Sequence, residues 1–105
     1  GAICFFDNMY TDSPSLSSDD KYRFHKGLGL LSGTVCPHFD IRKDDFFAAM
    51  GENGVSDALA IEGDCAVVYE DGKMTGSISS GGKSYIIRNN IGGFECYEIP
   101  AVKGV

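Results

Sequence analysis

The chain has 105 residues, of which 43% are hydrophobic and 23% charged, an ordinary balance for one small soluble domain. A formal net charge of −6 argues against nucleic acid and against an anionic membrane surface, both of which need concentrated basic charge. No window approaches the run of about 18 apolar residues that a membrane span needs, and no signal-peptide pattern opens the sequence.

The first residues, "GAICFF", are apolar and start without a cap or polar lead-in, as if from the middle of a larger domain. "DNMYTDSPSLSSDDKYRFHKG" follows, rich in Ser, Asp and Asn, and reads as a long surface loop. "LGLLSGTVCPHFD" carries a strand that should finish at Pro37, because proline holds Cys36 extended and cannot donate to a central ladder. His38 then stands at the carboxyl end of a strand, the edge where open α/β sheets bind ligands. "RKDDFFAAMGENG" reads as a helix, with early acids, Phe46, Phe47 and Met50 at helical spacing, and Gly51 or Gly54 as the stop. "DALAI" predicts a strand, and "CAVVYEDGKMTGSI" a hairpin turning at Asp71-Gly72. "KSYIIRNN" and "FECYEI" add two short strands.

Cys4, Cys36, Cys65 and Cys96 form no CxxC pair, which argues against zinc. Two disulfides remain compatible with the sequence; reduced, buried thiols of a cytosolic protein are the preferred reading. "GGKS" at 81–84 has the look of a phosphate loop but lacks its spacing. The motif needs glycine at position 77, which is Ser77, and it must open a helix where "YIIR" reads as strand. Cys36 and His38, two apart on a strand, share a face about 7 Å apart, so a cysteine hydrolase pair is weaker than a buried thiol.

His38 alone reads as a hydrogen-bonded structural histidine. "AIEGD" changes the balance, because it puts Glu62 at a second strand end. A carboxylate there could hold one imidazole nitrogen and leave the other to take a proton.

Taken in order, "GAICFF", "TDS", "GLGLLSGTVCPHFD" and "AIEGDCAVVYEDG" resemble the C-terminal half of the dipeptidase E family, aspartyl dipeptidases related to cyanophycinase. The resemblance implies a three-layer α/β sandwich of the class I glutamine amidotransferase-like type. Residues 1–105 would be the C-terminal part of one peptidase domain, with a strand-rich C-terminal part. It also implies a serine nucleophile on a G-x-S-A-G elbow whose last glycine matches Gly1, so the serine would lie upstream of this chain. His38 matches the family's catalytic histidine and Glu62 the acid that orients it, with Asp64 as a competitor two residues on.

The implied substrate is a short peptide, a dipeptide with N-terminal aspartate, cleaved by acyl transfer. Arg42 and Arg88 are candidates for its side-chain carboxylate, since a guanidinium binds carboxylates bidentately. Asp12, in "TDS", falls near an acidic position beside the family's active site and could meet the substrate amine. No metal or organic cofactor is called for, and a cytoplasmic location is expected. The alternatives are a cyanophycinase-like or acyl-peptide enzyme, a cysteine-dependent hydrolase, and a non-catalytic binding or assembly fragment. Apolar faces left open should be covered by the upstream half of the same protein or by self-association, and the chain alone is expected to be inactive.

Overall fold

The computed structural model describes residues 2–11, 22–90 and 93–102. A 3-10 helix, Ala2–Phe5, leads into β1, Phe6–Thr11. Then come β2 (Arg23–Lys26), β3 (Leu31–Pro37), α1 (Phe39–Asn53) and β4 (Asp57–Ile61). The second half is β5 (Cys65–Glu70), β6 (Lys73–Ser79), β7 (Ser84–Asn90) and β8 (Gly93–Glu98). Among the described residues the fold is mixed α/β, with the helix α1 on a six-stranded sheet ordered β2-β1-β3-β4-β7-β8 and a separate β5-β6 hairpin.

At the centre of the sheet β1, β3 and β4 run parallel, while β2, β7 and β8 join antiparallel at the sides. Alternation along the strands builds two cores. On the helix side Tyr10, Cys36, Ala58, Ala60 and Ile87 meet Phe39, Phe46 and Met50 of α1. Ala58 and Ala60 are small, which lets the bulky helix residues approach the sheet. On the other side Phe6, Met9, Val35, Leu59 and Ile99 are buried, with Ile3, Val67 and Tyr69 packed against them.

Two expectations need correction. The segment from Asp7 to Gly27 is not one long loop. Its first part is the central strand β1, with Met9, Tyr10 and Thr11 buried, and Arg23–Lys26 pairs with it antiparallel. Asp7 and Asn8 have poor strand propensity, but burial between two neighbours outweighs that local preference. The helix also starts three residues before Arg42, at Phe39, because His38 turns the chain directly out of β3.

Other boundaries follow the residue signals. β3 stops at Pro37. Gly54 closes α1 in a left-handed conformation, φ 66°, with its N–H on the Met50 carbonyl, as a glycine stop should. Asp71 and Gly72 both have positive φ, 53° and 77°, which matches the twist of a two-residue hairpin turn. "GGKS" leads into β7 and not into a helix. Among the described cysteines, Cys36 is buried, Cys65 half-buried and Cys96 exposed, all as free thiols; the expectation of uniform burial does not hold for Cys96.

Candidate active site

The parallel strands β1, β3 and β4 end at one rim of the sheet. Val35 pairs with Leu59, Cys36 with Ala60 and Pro37 with Ile61, so the next residues, His38 and Glu62, leave neighbouring strand ends at the same level. His38 is exposed and sits in the left-handed region at φ 52° and ψ 42° as the residue preceding α1. An L-residue there carries a conformational cost of about 1–2 kcal/mol. That conformation turns strand into helix within one residue, and the His38 carbonyl accepts the Ile41 N–H at 3.1 Å.

Glu62 is half-buried and tied to the β6–β7 turn twice. Its Oε1 accepts the Lys83 backbone N–H at 2.8 Å, and its own N–H donates to the Lys83 carbonyl at 3.0 Å. The next residue, Gly63, donates its N–H to Oδ1 of Asp40, in the first turn of α1, at 2.8 Å. The rival acid, Asp64, is an exposed turn residue with φ 60°, and its carbonyl accepts the Ser80 N–H at 3.0 Å. His38 and Glu62 are neighbours without a hydrogen bond between them among the described contacts; Glu62 instead holds Lys83.

The two arginines part company. Arg42 lies one helical turn beyond His38, on the same side of the sheet rim. It is buried, donates Nη1 to the Tyr10 carbonyl at 3.0 Å, and its guanidinium lies 4.5 Å over the Tyr22 ring. Arg88 pairs with Asp57, at the start of β4, and is exposed with its guanidinium 5.9 Å from the Tyr97 ring. Four residues separate that level from Ile61, about 13 Å of strand at 3.3 Å per residue. The topology therefore places Arg88 at the far edge from His38. Asp12 lies outside the described residues.

Cys36, with no measurable exposure, sits beneath the rim, and its Sγ donates to the Pro37 carbonyl at 3.6 Å. Burial pushes its thiol up to about 12 from an ordinary value of 9.0. A nucleophilic cysteine needs the opposite, a stabilised thiolate. Burial also raises the Tyr10 phenol, helped by its contact with Asp45; its hydroxyl donates to the Asp45 carbonyl at 3.5 Å.

Asp40, Gly82 and Lys83 are the rim residues that sequence reasoning missed. Asp40 reads as an ordinary helix-start acid, and Gly82 and Lys83 as a turn; nothing local announces their contacts with residues 62 and 63. A cavity of about 440 Å³ opens elsewhere, between β2 and α1, lined by Tyr22, Phe24, Asp45 and Glu52 among others. His38 and Glu62 do not line it, so its size says nothing about their chemistry. Among the described residues no group of three His, Cys, Asp or Glu side chains is arranged to hold a metal ion. Among the described residues, no helix is long and apolar enough to cross a membrane.

Comparison with known families supplies the deciding observation: the sequence model described as "Peptidase family S51" matches residues 1–76. The chain belongs to peptidase family S51. The matched span takes in β1, β3, α1 and β4, and with them both rim residues, His38 and Glu62. Membership of S51 makes the general reaction peptide hydrolysis, of the serine peptidase type. No curated protein matches the chain.

Proposed function

We propose that the complete enzyme is a serine peptidase of the dipeptidase E type, hydrolysing short peptides, foremost dipeptides with N-terminal aspartate. The observation that carries this reading is the Pro37–Ile61 register, which sets His38 and Glu62 side by side at the sheet rim in a chain of family S51. The nucleophile is a serine on an elbow upstream of this chain, and the sheet is the C-terminal part of a three-layer sandwich like that of class I glutamine amidotransferases.

The serine hydroxyl attacks the scissile carbonyl while His38 takes its proton. Collapse of the tetrahedral intermediate expels the amine, which receives that proton from His38. Water then attacks the acyl-enzyme by the same relay and frees the serine. Glu62 orients the imidazole and stabilises its charged form; with Oε1 on Lys83, Oε2 is the oxygen available to the ring. Apo contacts of this kind tighten when substrate binds. Arg42, one turn from His38, is the better placed cation for the substrate's aspartate, and Asp12 is the candidate for its amine.

The upstream half of the protein, or a second copy, covers the apolar face on which Phe5, 44% exposed, and the Val67–Tyr69 side of the hairpin lie. The location is cytoplasmic. The test is hydrolysis of a panel of Asp-X, Ala-X and β-aspartyl peptides by the complete enzyme and its His38→Ala variant. Loss of turnover in a folded variant supports the reading; near-wild-type turnover removes His38 from the mechanism. Cleavage of β-aspartyl peptides alone would favour the cyanophycinase-like specificity.

A further inference from the structure

The "GGKS" turn is not a phosphate loop, yet it is closely built around the candidate acid. Gly82 lies against the Glu62-Gly63 backbone so tightly that a Cβ placed on it would stand 2.0 Å from the Gly63 carbonyl oxygen and 3.2 Å from Glu62 Cβ. Only a residue without a side chain fits that approach. Lys83, the next residue, then meets Glu62 with both its N–H and its carbonyl. In the turn between β4 and β5, Oδ1 of Asp40 accepts the Gly63 N–H at 2.8 Å. Asp40 is two residues from His38 and in the first turn of the helix that His38 begins. Glu62 is thus fixed from the β6–β7 turn, and its successor Gly63 is fixed to the element that carries the histidine.

We propose that Gly82 and Asp40 are positioning residues of the active site, which hold Glu62 at the distance and height from which it can orient His38. Neither touches substrate or reacting atoms. Both act through the Glu62-Gly63 backbone: Gly82 by allowing the β6–β7 turn to close on it, Asp40 by tying it to α1. The inference rests on the His38–Glu62 reading above and extends it to a part of the chain, residues 81–84, that lies beyond the S51 match at residues 1–76.

The experiment is steady-state kinetics of the complete enzyme on an Asp-X dipeptide, with Asp40→Ala, Asp40→Asn and Gly82→Ala beside His38→Ala and Glu62→Ala. Misplacing an orienting group by about 1 Å costs up to about 100-fold in rate. Asp40→Ala and Gly82→Ala should therefore lower kcat by about 10- to 100-fold with KM changed by less than about threefold. Asp40→Asn keeps an acceptor oxygen for Gly63 and should recover kcat to within about threefold of wild type. In a Glu62→Ala background, Asp40→Ala should lower kcat no further, because the group that it positions is gone.

Wild-type kcat in folded Asp40→Ala, or additive losses in the double variant, overturns the proposal while leaving the triad reading intact. An Asn variant as poor as the Ala variant does so too, because then the charge and not the Gly63 hydrogen bond matters. Turnover in His38→Ala would instead bring down the triad reading itself, and this proposal with it. Where Gly82→Ala does not fold, the Asp40 pair decides.

Discussion

Arg42 donates Nη1 to the backbone carbonyl of Tyr10 at 3.0 Å, 32 residues away in sequence and inside the core. The bond joins the first turn of α1 to the central strand β1, and Tyr22 covers the same guanidinium from 4.5 Å. Arg42→Ala leaves a buried carbonyl without its donor and should lower stability by about 2–4 kcal/mol. Arg42→Lys should recover little of this, since an ammonium has neither the planar fork nor the stacking face. Urea unfolding of the purified variants measures the loss. The ratio of Asp-X to Ala-X turnover shows whether the guanidinium also meets substrate; an unchanged ratio would leave Arg42 with its structural role alone.

Cys36 predicts an alkaline limit to stability. Its thiol ionises near 9.0 when unfolded and is pushed up to about 12 when folded, so the folded state keeps a proton that the unfolded state releases. The stabilisation is complete below pH 9 and is lost as pH rises toward 12, with a slope of at most about 1.4 kcal/mol per pH unit. Tyr10, raised from 10.0 by burial, adds to the slope with the same sign at higher pH. Unfolding free energies measured between about pH 8 and pH 10.5 should fall in the wild type and fall less in Cys36→Ala. Parallel curves would remove Cys36 as the source.

His38 carries a backbone cost that glycine would not. At φ 52° a Cβ is disfavoured, so His38→Gly should be more stable than His38→Ala by about 1 kcal/mol. Both variants should be inactive in the complete enzyme. Equal stability of the two would mean that the turn relaxes to an ordinary conformation once the imidazole is removed.

Phe46 and Phe47 separate core from margin on one helix. Phe46 has no measurable exposure, and its ring centroid lies 5.1 Å from that of Tyr10 and 6.0 Å from that of Phe24. Phe46→Ala should cost about 3–5 kcal/mol, a large part of the 5–15 kcal/mol that a domain has. Phe47, half-buried and stacked on Phe94 at 4.7 Å, should cost clearly less on truncation. Thermal unfolding of the two variants side by side tests the order.

Much of the rim was legible because its signals are local. Pro37 ends a strand by its own chemistry, Asp71-Gly72 turns a hairpin by its positive φ angles, and two strand ends in a row bring His38 and Glu62 into view. β1 was not legible, because Asp7 and Asn8 hide a strand whose stability comes from β2 and β3 on either side. The supports of Glu62 were hidden for a related reason. Asp40 and Gly63 are 23 residues apart, and Lys83 and Glu62 are 21 apart, so their contacts exist only after the sheet has formed. Arg88 has the right chemistry for a carboxylate, but the antiparallel run of β7 carries it to the other end of the sheet.

The 21-residue separation between Glu62 and Lys83 also bears on synthesis. A ribosome releases the chain from its amino end, and domains acquire structure as their segments emerge. His38 and Glu62 therefore leave the exit tunnel before the turn that secures Glu62, which follows 21 residues later. The hairpin β5-β6 can close by itself in the interval, since its pairing is local. The contacts of Glu62 with Lys83 can therefore form only once β7 docks against β4, after the segments that carry His38 and Glu62 have emerged.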